Sequence, residues 1–96
     1  MNYHFEEHAL QELRDAIAYY ESVDSDLGMD FRKAVENAIT LIQQFPKAWP
    51  QISGSTRRCR TKRFPYGIIY RVKNNEIEIL AVAHSSREPR YWVDRL

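Results

Sequence analysis

The stretch that decides the fold reads RRCRTKR (57–63), FPYGIIYRV (64–72), EIEILAVAH (76–84) and SSREPRYW (85–92). Apolar and polar residues alternate through its two middle parts, as in strands that bury one face. The Asn74-Asn75 pair between them is typical of a two-residue hairpin turn, because asparagine tolerates the positive φ that such turns require. We therefore predict three antiparallel strands, at about Arg57–Arg63, Tyr66–Lys73 and Glu76–His84.

One face of this meander is expected to pack on helices while the other stays half open. In the second strand the helix-facing side chains are predicted to be Ile68, Tyr70 and Val72. In the third strand, strict alternation assigns the same face to Ile77, Ile79, Ala81 and Ala83. The opposite positions mix apolar and charged residues.

Two helices are predicted upstream of the meander. The first runs from about Glu7 to Val23, on apolar residues at helical spacing: Leu10, Leu13, Ile17 and Tyr20. The second has Asp26 as its N-cap and ends at Pro46, with a face formed by Phe31, Val35, Ala38, Ile42 and Phe45. Residues 2–6 give a weak strand signal, and residues 46–56 are expected to be loop.

These elements predict an α+β fold: an N-terminal strand, an antiparallel helical hairpin and a three-stranded antiparallel β-meander. The 96 residues are enough for one domain, 1–96, with one modest core. The only cysteine, Cys59, excludes a disulfide framework and is expected to be a small buried residue. No apolar run approaches the roughly 20 residues that span a bilayer, and the amino terminus is unlike a signal peptide. We expect a soluble, cytoplasmic protein that does not bind membranes.

The charges are distributed unevenly along the chain. Residues 1–46 hold nine acidic and three basic residues, whereas residues 47–96 hold eleven basic and four acidic ones. This asymmetry favours one face that attracts anions, although the two halves could also neutralise each other. Seven of the positive charges lie within residues 57–73, before the first acidic residue of the stretch, Glu76.

The basic stretch allows three interpretations. It could contact the phosphates of RNA or DNA, or receive an acidic and initially disordered protein segment. It could also be a solvated edge strand whose cations prevent aggregation. The residues expected to bind a target or partner are Arg57, Arg58, Arg60, Arg63, Arg71, Arg87, Arg90 and Trp92. No metal or cofactor is expected, since the HFEEH segment (4–8) matches an inverted zinc motif only across a strand–helix junction.

Several short motifs occur in an order that resembles a known family. They are Ala18–Glu21, Leu27-Gly28, Phe45-Pro46, Arg57-Arg58, Arg63–Tyr66, Ile69-Tyr70, Ile79–His84, Arg87–Pro89 and Tyr91-Trp92. Together they look like the RelE/ParE superfamily of bacterial toxins, over nearly the whole chain. The resemblance implies the toxin of a type II toxin–antitoxin pair, held inactive in a complex with a cognate antitoxin.

The superfamily divides by target, and the resemblance therefore implies two candidate activities. RelE-like members cut mRNA on the ribosome without a metal, and ParE-like members inhibit DNA gyrase. If this chain is RelE-like, its candidate catalytic residues are Arg60, Lys62, His84, Arg87 and Tyr91. However, the second-strand arginine of RelE-like chains is Gly67 here, which removes a phosphate-stabilising group. We therefore favour the ParE-like interpretation, with the ribosome-dependent endonuclease as the alternative.

Overall fold

Two helices pack on one face of a five-stranded sheet in the computed structural model, which describes residues 1–96. The elements are β1 (Tyr3–Phe5), α1 (Glu7–Val23), α2 (Ser25–Gln44), β2 (Gln51–Ser53), β3 (Thr56–Arg60), β4 (Tyr66–Lys73), β5 (Glu76–His84) and a 3₁₀ turn (Val93–Arg95). The strand order is β1-β5-β4-β3-β2, and only the β1–β5 pair is parallel. The predicted α+β fold is confirmed. No helix is both long and apolar enough to cross a membrane.

Acidic side chains start both helices. The Glu6 carboxylate accepts from the backbone N–H groups of His8 at 3.0 Å and Ala9 at 3.2 Å, which caps α1. Asp24 caps α2 by accepting from the Asp26 N–H at 2.8 Å. The prediction that Asp26 is the N-cap is therefore wrong by two residues. Asp24 takes the role because it has the extended backbone that a capping residue needs, whereas Asp26 lies in the first helical turn.

The first part of the meander departs from the predicted strands. A short strand, β2, lies within the predicted loop and pairs with the start of β3. The first meander strand ends at Arg60 rather than Arg63, because the chain turns back on itself before Pro65. Arg63 adopts a left-handed φ of 73° in this turn, and the Thr61 hydroxyl donates to the Phe64 carbonyl at 3.1 Å. The predicted Asn74-Asn75 hairpin is present, with φ values of 52° and 60°.

The main core lies between the helices and the sheet. Its buried residues include Phe31, Val35 and Ile42 of α2, Ile68 and Tyr70 of β4, and Ile77 and Ile79 of β5. Phe31 is at the centre of an aromatic cluster, with ring centroids 5.0 Å from Tyr20, 5.2 Å from Phe64 and 4.9 Å from Tyr66. These are favourable edge and tilted contacts, so the helices are closely packed on this face of the sheet.

A β-bulge changes the face of residues in the middle of β5. Tyr70 pairs with Ile79, but Ile69 pairs with Ala81, which leaves Leu80 without a partner on β4. One extra residue inverts the alternation beyond it. Ala81 and Ala83 therefore pack with Ile69 and Trp92 on the face opposite the helices. The prediction that these two alanines share the face of Ile77 and Ile79 is wrong for this reason.

The chain after β5 covers that opposite face. Trp92 is only 3 % exposed and packs against Ile69, Leu80 and Ala81. Residues 88–96 form turns followed by the 3₁₀ turn Val93–Arg95. The C-terminal segment therefore covers part of the face that we expected to be half open. The same segment forms one wall of a groove.

Candidate functional site

A groove of about 280 Å³ opens on the sheet face opposite the helices, between β3, β4 and the C-terminal segment. Strand register explains its floor and rim, because Arg60 pairs with Gly67 and Gly67 with Ala83, so all three share one face. The lining residues are Ile52, Arg58, Arg60, Tyr66, Gly67, Ile69, Ala83, His84, Ser85, Arg87, Glu88, Pro89, Arg90, Tyr91 and Trp92. Four arginines and one glutamate therefore surround a small volume, which we call the basic groove.

Gly67 allows the Arg58 side chain to lie across the floor of the groove. A Cβ atom at position 67 would come within 3.0 Å of both Cγ and Cδ of Arg58. Gly67 itself is buried, and it lies next to β3 in the sheet. The arginine from β3 thus occupies the space that a side chain from β4 would take. Arg58 thus lines the groove beside Gly67, which itself carries no side chain.

Three of the four arginines of the basic groove have no acidic partner. Arg58, Arg60 and Arg90 are exposed, and none has a carboxylate within 4.0 Å or a side-chain hydrogen bond. Arg90 also has a left-handed backbone, with φ of 63°. These three side chains are available to an anionic ligand.

Arg87 is held in place by Tyr91 and Glu12. Its guanidinium lies 3.8 Å from the centre of the Tyr91 ring, and its Nη1 is 3.9 Å from Glu12 Oε2. Stacking on an aromatic ring restricts the arginine without using its hydrogen-bond donors. Arg87 is therefore a partly neutralised but oriented cation at the rim.

Glu12 of α1 joins the C-terminal segment to β5. Its carboxylate accepts from the Tyr91 hydroxyl at 2.6 Å and from Arg95 Nη1 at 2.7 Å. It also accepts from the Val82 N–H at 3.1 Å, while Arg95 Nη1 donates to the Leu80 carbonyl at 3.0 Å. Since β1 pairs only with Ile77–Ile79, these side chains replace the missing strand along the rest of the β5 edge. They fix the wall of the basic groove.

Burial, the Glu12 hydrogen bond and the negative charge of Glu12 raise the pKa of Tyr91. The nearby Arg95 and Arg87 guanidinium groups oppose this shift without reversing it. The Tyr91 hydroxyl therefore stays protonated and donates a hydrogen bond to Glu12. It is not free to act as an acid or base towards a ligand in the groove.

His84 ends β5 with one ring nitrogen already used. Its Nδ1 accepts from the Ser86 N–H at 3.0 Å, and the Ser86 hydroxyl lies 2.8 Å away. Because a backbone N–H can only donate, the lone pair is on Nδ1 and the proton is on Nε2. The ring packs edge-on against Tyr66, with centroids 5.1 Å apart. His84 thus offers a hydrogen-bond donor at the groove.

Four of the predicted site residues lie away from the basic groove. Arg57 donates to the carbonyls of Trp49 at 2.6 Å and Lys47 at 3.3 Å, and so holds the loop before β2. Arg71 forms an ion pair with Glu78 at 2.7 Å. Arg63 pairs with Asp30 at 2.8 Å, and both Arg63 and Lys62 line a separate cleft. The remaining predicted residues do line the groove: Arg58, Arg60, His84, Arg87, Arg90, Tyr91 and Trp92.

The separate cleft lies between α2 and β3 and has a volume of about 660 Å³. Basic side chains and apolar ones line it together: Lys33, Arg60, Lys62, Arg63, Leu41, Trp49 and Phe64 among them. Because β2 pairs only with Thr56 and Arg57, the outer edge of residues 58–60 has no strand partner. This region, which we call the edge cleft, combines an open strand with an apolar and basic wall.

Glu12 and Arg95 are site residues that the sequence pattern did not identify. Glu12 looks like any polar position of an amphipathic helix, and Arg95 looks like a terminal charge. Only the fold brings them together across 83 positions of sequence. Cys59 is buried as predicted, at 1 % exposure, and this burial raises its pKa to about 11. No group of three His, Cys, Asp or Glu side chains is arranged to hold a metal ion.

The fold and the basic groove define a small α+β protein of the RelE/ParE superfamily. A model of the family described as ParE toxin of type II toxin-antitoxin system, parDE, matches residues 3–89. The chain therefore belongs to this family of ParE toxins. Its fold is similar to a chain in the solved chromosomal ParDE TA system from P. aeruginosa, with a TM-score of 0.64 and 20 % identity, covering 88 % of this chain and 95 % of that chain. Among curated proteins none matches.

Proposed function

We propose that this ParE-family toxin stops bacterial growth by binding DNA gyrase in the cytoplasm, and that a cognate antitoxin neutralises it. One observation carries the choice of binding over catalysis: the basic groove contains free cations but no free acid–base pair. Metal-free RNA cleavage needs a base for the 2′-hydroxyl and an acid for the leaving oxygen. The Tyr91 hydroxyl donates to Glu12, and His84 Nδ1 accepts from Ser86.

The edge cleft supports the second half of the proposal. An extended segment can add to an unpaired strand edge, where backbone hydrogen bonds give affinity and side-chain pockets give specificity. The basic side chains Lys33, Lys62 and Arg63 favour an acidic segment, and the apolar wall gives it a surface on which to fold. We propose that the antitoxin contributes such a segment alongside β3, forming a hetero-oligomeric complex.

Induction of the protein alone in bacteria tests the target. We expect filamentation and a DNA-damage response with intact mRNA, as for a gyrase inhibitor. Arg60→Ala and Arg87→Ala should weaken growth inhibition, whereas Arg14→Ala, an exposed arginine of α1 outside both clefts, should not. Equal growth inhibition by all three variants would remove the basic groove from the mechanism.

A ribosome-dependent mRNA endonuclease is the second candidate, because the fold does bring Arg60, His84 and Arg87 around one groove. A single proton donor, the His84 Nε2–H, with oriented cations can still accelerate RNA cleavage. Rapid mRNA cleavage at ribosome-protected sites after induction would support this activity and contradict the gyrase proposal. His84→Ala should then abolish the cleavage. Under the gyrase proposal, mRNA stays intact after induction of either the wild-type chain or the His84→Ala variant.

Co-expression tests the antitoxin site. The neighbouring reading frame should encode a short protein with an acidic segment, and its co-expression should restore growth. Lys62→Glu, which reverses a charge in the edge cleft, should weaken this rescue without reducing toxicity. Glu36→Lys is the matched control, since Glu36 is exposed on α2 but does not line the cleft. Full rescue of the Lys62→Glu variant would place the antitoxin elsewhere.

A further inference from the structure

We propose that the outer side of α1 formed by Asp15, Tyr19 and Val23, which we call the α1 face, docks on a basic protein surface of the target enzyme. The occupant is a patch of lysine or arginine side chains on a folded protein, and neither a nucleic acid nor the antitoxin. The inference rests on the proposed function, because it adds a second surface through which the toxin binds its target.

The α1 face exposes two large apolar side chains side by side. Tyr19 is 62 % exposed and Val23 is 63 % exposed, and no other large apolar residue of the chain is as exposed as these two. They are four residues apart in α1, so their side chains lie on the same side of the helix. Tyrosine is enriched among the residues that contribute most to protein–protein binding. Tyr19 therefore has the ring and the exposure that an interface anchor needs.

A cavity of about 230 Å³ lies beside Tyr19. Two tyrosine rings border it, and Asp15 is its one carboxylate without a cationic partner, since Glu12 pairs with Arg95 and Arg87. Aromatic rings and a carboxylate together attract a guanidinium or ammonium group. The cavity therefore fits a lysine or arginine side chain of a partner. Its lining residues are Glu12, Asp15, Ala16, Tyr19, Tyr66, Val82, His84 and Arg87.

The charge around the α1 face selects a cationic partner. Between residues 7 and 26, Arg14 is the only lysine or arginine, and five carboxylates have no basic group within 4.0 Å. These five are Glu7, Asp15, Glu21, Asp24 and Asp26. Such a field repels the phosphates of a nucleic acid and the acidic segment of an antitoxin, whereas it attracts a basic protein surface.

The α1 face is continuous with the basic groove. Tyr66, His84 and Arg87 line both the groove and the cavity beside Tyr19. A protein that covers the rim of the groove therefore reaches Tyr19 across a shared wall. The edge cleft has no lining residue in common with this cavity, so the α1 face and the proposed antitoxin site can be tested separately.

Biolayer interferometry with the full 96-residue chain, made by cell-free synthesis, tests the proposal. The probe is purified DNA gyrase from the bacterium that carries this chain. The wild-type chain should bind gyrase, and Tyr19→Ala should weaken this binding about tenfold, as expected for an interface anchor. Asp15→Lys should also weaken it about tenfold, because it places a like charge against the basic surface. Tyr19→Phe keeps the ring and should bind within about threefold of wild type.

Two exposed residues of α2 provide matched controls. Met29→Ala removes an apolar side chain that is 55 % exposed, and Glu36→Lys reverses the charge of an exposed carboxylate. Neither residue lines the cavity, so both variants should bind gyrase like the wild-type chain. Thermal unfolding of Tyr19→Ala and Asp15→Lys should resemble that of the wild-type chain, because both side chains are exposed. The loss of binding is then not a loss of folding.

Gyrase binding by the wild-type chain, with undiminished binding by Tyr19→Ala or Asp15→Lys, would overturn the inference and leave the proposed function standing. An equal loss of binding in Met29→Ala or Glu36→Lys would also overturn it, because the effect would not belong to the α1 face. Loss of antitoxin rescue in Tyr19→Ala, with gyrase binding unchanged, would assign the α1 face to the antitoxin instead. No gyrase binding by the wild-type chain would contradict the proposed function, and the inference with it.

Discussion

Arg57 and Arg58 are neighbours on β3, yet they lie on opposite faces of the sheet and have opposite surroundings. Arg57 faces the helices and donates to the Trp49 and Lys47 carbonyls, so its charge is used to hold the fold together. Arg58 faces the groove, lies over Gly67 and has no acidic partner. A run of basic residues therefore does not indicate how many cations a ligand can reach. The pleat of the strand determines which cations a ligand can reach. It divides the molecule into a structural face and a binding face.

The largest expected effect comes from breaking the structural face. Phe31 is fully buried and contacts Tyr20, Phe64 and Tyr66, so Phe31→Ala should reduce the free energy of unfolding by about 3–5 kcal/mol. Urea denaturation followed by circular dichroism measures this. Met29→Ala, two residues earlier and 55 % exposed, should cost less than about 1 kcal/mol. A small effect at Phe31 would mean that the helices do not depend on this core.

The structural face is also the part that the sequence predicts well. The helical spacing of Phe31, Val35 and Ile42 and the strand pattern of Ile68 and Tyr70 report directly which side chains are buried. Such local periodicity is set by the geometry of single elements and needs no knowledge of the tertiary fold. Both helices, the hairpin and the meander follow from it.

A smaller effect is expected at Glu12, which connects the two faces. Glu12→Gln replaces a carboxylate that accepts from Tyr91, Arg95 and the Val82 N–H by an amide with one acceptor oxygen. We expect a loss of about 2–3 kcal/mol, because a half-buried Arg95 keeps its charge without the anion. Hydrogen exchange should accelerate at Val82 and in residues 91–96 more than in α2. Glu36→Gln on α2 is the control, and uniform acceleration would show that Glu12 does not act locally.

Tyr91→Phe should have a third, pH-dependent effect of about 1.5 kcal/mol near neutral pH, through loss of the hydrogen bond to Glu12. The pKa of Tyr91 is raised by burial and by Glu12, so the unfolded chain loses this proton first as the pH rises. The stability that Tyr91 contributes is present below its ordinary pKa of about 10 and is lost above it.

Urea unfolding at pH values from about 8 to about 10.5 checks the sign of this effect. The difference in stability between wild type and Tyr91→Phe should narrow as the pH rises. Some alkaline loss remains in both proteins, because burial also raises the pKa of Cys59 to about 11 and of Tyr70 to about 12. Tyr19→Phe, at a position that is 62 % exposed, is the control and should change the stability by less than about 0.5 kcal/mol near neutral pH. A constant difference for Tyr91→Phe would mean that its hydroxyl does not depend on Glu12.

The binding face is harder to predict because it depends on contacts between distant residues. The bulge at Leu80 inverts the alternation that assigned Ala81 to the helix face, and nothing in the local sequence marks the extra residue. Glu12 and Arg95 meet only after β1 has left the β5 edge uncovered. The arginines of the groove could be proposed from the sequence, but their separation from Arg57, Arg63 and Arg71 could not.

The smallest stability effects give the sharpest test of the two faces. Arg57→Ala should cost about 1 kcal/mol, since its hydrogen bonds to the loop are lost, and should leave growth inhibition nearly unchanged once the protein is folded. Arg60→Ala should change stability by less than about 0.5 kcal/mol, because its exposed side chain has no partner, yet it should weaken growth inhibition. Both variants remove one positive charge from the same strand, so any difference between them comes from the face and not from net charge. Parallel effects on stability and growth in the two variants would contradict the division. Lower stability with unchanged growth inhibition for Arg57→Ala, and the reverse for Arg60→Ala, would show that the pleat of β3 separates the cations that stabilise the fold from those that bind the target.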